Sequence, residues 1–206
     1  MISYRCLLGF FTVLVSMASV ASAQSISPQT GLPQIAQAPQ EQLLLTPPPG
    51  WHQAYSGRDG TMDLTLYTPA GQSAEAWSEA LVVRVHHGLT TMPPDAFLST
   101  VPAQLEEACD GLKAGKSQPG RINGYAAAFQ FLECPMNRVS SQGEVVMSLA
   151  IQGQQALYVV QRAWQTSAFP NADKPPVPQQ TLDASVDYLR SVRLCNPSAP
   201  AAHPCR

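Results

Sequence analysis

Three neighbouring runs of sequence decide the fold: YAAAFQFLEC at residues 125–134, EVVMSLAI at 144–151 and ALYVVQRAW at 156–164. Each run has the length of a β-strand and is rich in β-branched and aromatic residues. The segment QGQ at 152–154 is short enough for a hairpin turn between the second and third runs. Both faces of this three-strand meander are largely apolar, so other elements must cover each side.

Further elements are predicted on both sides of the meander. Strands are expected at 51–55, 62–67 and 81–86, where apolar residues alternate between turn signals. Apolar residues at helical spacing predict helices at 93–110 and 181–194. The order of these elements predicts an α+β fold, with a mostly antiparallel sheet flanked by two main helices in an α/β/α sandwich.

This order resembles the PsbP/DcrB-like superfamily over about residues 43–194, together with the stretches TPPPGW at 46–51 and YTPAGQ at 67–72. The resemblance implies a PsbP-like sandwich in a small adaptor or assembly domain that is exported in bacteria and plastids. Neither stretch is a catalytic signature. The cysteines and the tail loop are additional to the superfamily's pattern, so the resemblance implies no particular activity.

Residues 1–23 have the pattern of a secretory signal peptide. Arg5 supplies the positive charge, residues 7–20 the apolar run, and ASA at 21–23 the small-residue cleavage site. A retained membrane anchor is the alternative interpretation. It is less favoured, because the apolar run is short and a cleavage signal follows it directly.

The remaining chain is expected to consist of two parts. Residues 24–42 form a Pro/Gln-rich segment with too little apolar content to fold alone, which predicts a flexible tether. Residues 43–206 form a single α/β domain that ends in a disulfide loop. With no second apolar stretch long enough to span a bilayer, we expect a periplasmic or secreted product without a transmembrane segment after cleavage.

Four cysteines follow the leader, at Cys109, Cys134, Cys195 and Cys205. An even number in an exported chain favours two disulfides, and four cysteines allow three pairings. We expect Cys109 to join Cys134, because the first helix must approach the small-residue face of the strand that Cys134 ends. Cys195 and Cys205 would then close a tail loop. A competing pairing joins Cys134 to Cys195, and it requires the second helix to end beside the same strand.

Charge and motifs exclude several classes of function. The formal net charge is −2 and no cluster of basic residues occurs, so nothing indicates nucleic acid as a partner. The stretch GLKAGKS at 111–117 is similar to a phosphate-binding P-loop, but it lacks one residue between its glycines and follows a predicted helix. No hydrolase or zinc-protease motif appears, so we predict no catalytic residue, cofactor or metal ligand.

Histidines and paired carboxylates could still form a site. His86 and His87 are adjacent on a predicted strand, so they face opposite sides and cannot chelate one metal together. A site with one of them would need His52, His203 or a carboxylate. The pair Glu106-Glu107 lies at the polar edge of the first helix, where a solvated face is the favoured interpretation.

An enzyme site could also be assembled from scattered residues, namely Arg84, His86, Glu133 and Arg162. Glu133 lies on the aromatic face of its strand, where it either marks the strand end or pairs with Arg162. A pocket where these groups converge would indicate a hydrolase.

Aromatic residues are numerous enough to line a groove, at Trp51, Trp77, Trp164, Tyr55, Tyr67, Tyr125 and Tyr158. Packing in the core is the favoured interpretation for any one of them. Trp77, flanked by small residues between two strands, is predicted to fill the end of the sandwich.

The sequence therefore predicts an exported, non-catalytic envelope protein that acts in binding or assembly, with another envelope protein as its partner. The alternative is a periplasmic hydrolase or a metal-binding protein whose site is assembled from scattered residues.

Overall fold

A computed structural model describes residues 41–170 and 175–205 of the chain. Its strands are, in order, β1 (Gln42–Leu44), β2 (Trp51–Asp59), β3 (Met62–Pro69), β4 (Glu79–His87), β5 (Cys109–Asp110), β6 (Lys113–Ala114), β7 (Gln118–Ile122), β8 (Tyr125–Cys134), β9 (Met136–Asn137), β10 (Gln142–Gln152), β11 (Ala156–Ser167) and β12 (Arg193–Cys195). Helix α1 (Pro94–Leu105) follows β4, and helix α2 (Gln179–Ser191) follows β11. The predicted signal peptide and residues 24–40 of the predicted tether lie outside the described residues.

An eight-stranded sheet forms the centre of the molecule, in the order β2-β3-β4-β11-β10-β8-β6, with β7 also paired to β8. Its pairings are antiparallel. The predicted meander is confirmed as β8, β10 and β11. The fold is therefore α+β, with a mostly antiparallel sheet and two helices.

Successive side chains of β10 belong to different apolar clusters. Leu149 packs in a cluster with Leu182 and Leu189 of α2. Ala150, the next residue, packs in a cluster with Leu98 of α1. Because neighbouring residues of a strand point to opposite faces, β10 buries side chains on both sides of the sheet. Neither described helix has the length and apolarity that a membrane crossing requires.

The predicted ends of both helices are wrong. The first helix was expected to continue to residue 110, but α1 ends at Leu105, and the next residues turn into β5, which pairs with β9. The second was expected to continue to 194, but α2 ends at Ser191 and Leu194 lies in β12, which pairs with β1. In both places, pairing with a distant segment replaces a helix that local spacing alone would have extended.

The N-terminal edge of the described structure is held by a buried carboxylate. Glu41 is 8% exposed. Its oxygens accept hydrogen bonds from the backbone N–H groups of Gln154 (2.8 Å) and Gln155 (3.1 Å), in the β10–β11 turn. The contacts of the domain thus begin two residues before its predicted start at 43.

Both disulfides join the predicted partners. The Cα atoms of Cys109 and Cys134 are 5.7 Å apart, and those of Cys195 and Cys205 are 5.0 Å apart. The competing bond between Cys134 and Cys195 is therefore wrong. The tail loop closed by Cys195 and Cys205 is also held by Asn123, whose side-chain N–H donates to the carbonyls of Leu194 and Pro204, each at 2.9 Å.

Candidate binding site around Arg162

Arg162 is an arginine in the middle of an apolar strand. In β11 it lies opposite Met147 of β10 and Leu81 of β4, and only 8% of its side chain is exposed. Arginine is rarely buried to this extent unless it is paired, because removing a charge from water is costly. The surroundings of its guanidinium group must therefore replace that water.

Three aromatic rings surround the Arg162 guanidinium. Its central carbon lies 4.4 Å from the ring centre of Trp51, 5.5 Å from that of Trp164 and 5.8 Å from that of Tyr188. Ring faces carry negative charge density, so each of these contacts stabilises the cation by about 0.5–2 kcal/mol. Trp164 is buried, whereas Trp51 and Tyr188 are half-buried and reach the surface.

One carboxylate partly balances the charge. Nη2 of Arg162 donates to Oε2 of Glu79 at 3.3 Å, and the Glu79 side chain is 39% exposed. Burial lowers the pKa of Arg162, and the Glu79 carboxylate opposes that shift. Of the two interpretations of Glu133, the pairing with Arg162 is wrong, because Glu79 on the neighbouring strand β4 reaches the guanidinium instead.

Three N–H groups in this cluster have no acceptor. Nε and Nη1 of Arg162 and Nε1 of Trp164 are buried and lack a hydrogen-bond partner among the described residues. An unpaired buried donor costs about 1–3 kcal/mol, more when it is charged. The cluster therefore offers three donors to an acceptor.

Two proline-glycine turns position Trp51. The N–H of Trp51 bonds the carbonyl of Pro48 at 3.1 Å, and Gly50 between them has φ +78°, the pattern of a type II turn. The stretch 67–72 contains a similar turn that is closed from Gln72 to Pro69 at 3.1 Å. Trp51 lies opposite Pro69 in the β2–β3 pairing, so the two turns are adjacent.

The TPPPGW stretch also contacts helix α2. The hydroxyl of Tyr188 donates to the carbonyl of Thr46 at 3.0 Å. Both stretches that carry the PsbP/DcrB resemblance thus meet at the edge of the Arg162 cluster. Sequence reasoning missed this cluster. An arginine between apolar residues in ALYVVQRAW was the available signal, but its aromatic partners come from distant elements.

The four residues of the predicted enzyme site do not converge. Leu81 is paired with Arg162 and shares its face, whereas Arg84 and His86 lie on the opposite face of β4 by strand alternation. Glu133 lies on the Arg162 side, in a pairing with Val145 of β10. The sheet therefore separates Arg84 and His86 from Arg162 and Glu133.

The histidines are also dispersed. The ring of His87 contacts Asp63 at 2.6 Å, whereas that of His86 packs against Phe97 of α1, with 5.3 Å between ring centres. His203, in the tail loop, stacks on Tyr125 with 3.8 Å between ring centres. Within the described residues, no three histidine, cysteine or acidic side chains are grouped as metal ligands.

A second buried polar network lies on the Arg84 side of the sheet. Nη1 of Arg84 donates to the side-chain carbonyl of Gln161, whose amide donates to Ser148 at 2.8 Å. Burial lowers the pKa of Arg84 to about 10 and raises the pKa of Glu144 to about 7, while the attraction between the two charges opposes both shifts. This network was not predicted from the sequence.

The structure also places the P-loop-like stretch and the Glu106-Glu107 pair. The P-loop-like stretch 111–117 contains β6 and leads into β7, so no helix N-terminus follows it. Glu106 and Glu107 are exposed directly after α1.

A cleft of about 360 Å³ beside the Cys109–Cys134 bond has mainly apolar walls.

Comparisons with known proteins establish no family. No family model and no curated protein matches the chain. Among solved structures, the chain is similar to the crystal structure of the Saccharomyces cerevisiae Ran-binding protein Mog1p, with 13% identity, 73% of this chain and 85% of that chain covered, and a TM-score of 0.40. Neither a partner nor an activity follows from a likeness of this size.

Proposed function

We propose that this chain is an exported, non-catalytic envelope protein that acts in binding or assembly, with another envelope protein as its partner. The observation that carries the proposal is the Arg162 cluster. The cluster suits recognition because it combines two hydrogen-bond donors, the Arg162 guanidinium and the Trp164 indole N–H, with partly exposed aromatic rings. Tryptophan, tyrosine and arginine are the residues most enriched among those that dominate binding energy at protein interfaces.

The proposal includes a PsbP/DcrB-like α/β/α sandwich. In support, α2 packs with one set of β10 side chains and α1 with the alternate set. The two turns quoted for the resemblance are adjacent and contact the candidate site. On this view they form a rim that positions Trp51.

Export is supported by the leader pattern at 1–23 and by the two disulfides. Disulfides persist in oxidising compartments and are rare in the cytosol. A periplasmic or secreted location fits both features.

A periplasmic hydrolase has less support. The residues that would have formed its site are divided between two faces of the sheet, so no base is within reach of a nucleophile among them. The histidines also have partners that do not form a catalytic arrangement. His87 contacts Asp63, while His86 and His203 pack against aromatic rings.

Affinity capture tests the proposal. Mature chain 24–206, with its disulfides intact, is immobilised and exposed to envelope extract of its own organism. We expect one or a few envelope proteins to be retained, and Arg162→Met to reduce their recovery by about tenfold, since charged hot-spot residues often contribute 1.4 kcal/mol or more.

The matched control is Arg58→Met. Arg58 lies on β2, the strand that carries Trp51, but its exposed guanidinium bonds Asp63 at the far end of that strand. This variant should retain the same proteins as the wild type. Equal recovery by Arg162→Met, or no specific recovery under any condition, would overturn the proposal.

A further inference from the structure

We propose that the group recognised at the Arg162 cluster is a carboxylate of the partner, bound by the Arg162 guanidinium and the Trp164 indole N–H after the Trp51 ring moves aside. This inference rests on the proposed binding function and specifies its ligand class. It is carried by the three unpaired donors and by the position of the half-buried ring.

The donors determine the kind of ligand. Nε and Nη1 of Arg162 and Nε1 of Trp164 all require an acceptor, so a cation or a donor group gains nothing there. Each of the two unpaired guanidinium nitrogens shares an edge of the planar fork with Nη2, which keeps one N–H after its other N–H bonds Glu79. Such an edge matches the two oxygens of a carboxylate, and the resulting charge-assisted bonds are strong.

The ring faces favour a planar acceptor over a tetrahedral one. Trp51, Trp164 and Tyr188 present rings to the guanidinium. Ring faces are negative and repel oxygen anions. A carboxylate can place both oxygens toward N–H groups, whereas a phosphate has further oxygens that would meet those faces.

A carboxylate can reach the unpaired nitrogens only after a neighbouring group moves, because these nitrogens are shielded from solvent. Trp51 is the nearest of the three rings to the Arg162 guanidinium, with its ring centre 4.4 Å from the central carbon. It lies on β2, the edge strand of the sheet, directly after a turn, and is half-buried. Trp164, by contrast, lies on the inner strand β11 and is paired on both sides, with Val145 of β10 and Glu79 of β4.

An NMR titration with small carboxylates tests the inference. The mature chain with intact disulfides is labelled with ¹⁵N and titrated with propionate, which mimics an acidic side chain, and with N-acetylalanine, which mimics a chain terminus. Propionamide and N-acetylalaninamide are the neutral controls, and inorganic phosphate is the tetrahedral control. The readouts are the Trp164 indole N–H and Arg162 Nε–H resonances, with the Trp77 indole as an internal reference.

We expect at least one carboxylate to shift the Trp164 and Arg162 resonances saturably, with an affinity of about 1–10 mM, and to leave the Trp77 resonance in place. The amides should cause no shift. Arg162→Met should abolish the response at Trp164. Arg162→Lys, which keeps the charge but not the fork, should weaken it by about tenfold and serves if the methionine variant does not fold.

Several results would overturn the inference: no saturable shift, an equal shift with the amides, tighter binding of phosphate, or an unchanged response in the Arg162 variants. The relative shifts by propionate and N-acetylalanine distinguish a side chain from a chain terminus. If carboxylates fail to bind while captured proteins still depend on Arg162, the binding function stands and the ligand class falls. If carboxylates bind but no envelope protein is captured, the proposed function fails instead.

Discussion

Arg162 and Glu144 lie on opposite faces of the sheet and are accommodated in different ways. Arg162 is stabilised by three ring faces and by one oxygen of Glu79. Glu144 has Arg84 as its charged neighbour, yet burial still raises its pKa to about 7. Only the first retains unpaired donors of its own, which makes it the better candidate for recognition.

The raised pKa of Glu144 predicts a pH dependence of stability. Its ordinary value is 4.5, so between about pH 4.5 and 7 the folded state keeps a proton that the unfolded state has lost. Stability is therefore greatest at the acidic end of this window and declines as the pH rises through it. Glu144→Gln should remove that decline, worth about 2 kcal/mol for this half-buried group. Urea unfolding at both ends of the window, for both proteins, provides the measurement, and parallel declines would refute the assignment.

Trp77 is buried at 7% exposure and packs with Leu66, Val82 and Val146. It was predicted to be structural, and its burial is consistent with that role. Trp77→Ala should reduce the free energy of unfolding by about 3–5 kcal/mol, and Trp77→Phe by less, because phenylalanine leaves a smaller cavity. Chemical denaturation measures both. If the alanine variant unfolds like the wild type but loses its partner, Trp77 belongs to an interface.

At the scale of elements, the disulfides differ in what they hold. Cys109–Cys134 spans 25 residues and joins the segment after α1 to the end of β8. Cys195–Cys205 spans 10 residues and closes the tail loop. From the entropy of loop closure in the unfolded chain, the first bond stabilises the fold by about 3.5 kcal/mol and the second by about 2.7 kcal/mol.

Removal of each pair of cysteines should follow that order. The Cys109→Ala/Cys134→Ala variant is expected to lose more stability than Cys195→Ala/Cys205→Ala, measured by thermal unfolding of the purified variants. The first variant should also loosen β5 and β9, which hydrogen exchange would detect. A larger loss in the tail-loop variant would mean that the tail contributes more to the core than its loop length implies.

Some elements of the fold could be predicted from the sequence and others could not. The alternation in EVVMSLAI is local, so β10 and its two neighbours could be predicted. The pairings of β1 with β12 and of β5 with β9 involve two or three residues each and join distant parts of the chain. Periodicity carries no information about such contacts, so both helices were extended into residues that pair elsewhere.

The candidate site was harder to predict for the same reason. Arg162 was singled out, but its partners come from β2, β4 and α2, and the pairing that brings Glu79 beside it depends on sheet order. Tyr188 lay in a predicted helix without any local signal of its role. By contrast, the disulfide pairing followed from packing, because α1 had to approach the small-residue face of β8.

At the scale of the whole molecule, the charged and aromatic groups of the Arg162 cluster lie together on one face of the sheet. The start of β2, the Pro-Gly turns and helix α2 border this cluster. Strands β6 and β7 lie at the other end of the sheet, where both pair with β8. Binding should therefore occur at the Arg162 cluster, beside the start of β2.

Site-specific photo-cross-linking in intact cells tests whether a partner binds beside the Arg162 cluster. A benzophenone amino acid replaces Gln53, which is exposed on β2 opposite Tyr67, or Gln118, which is exposed on β7. We expect a discrete cross-linked product from position 53 that Arg162→Met reduces by about tenfold, and none from position 118. Products from position 118 alone, or a product from position 53 that is indifferent to Arg162, would contradict it.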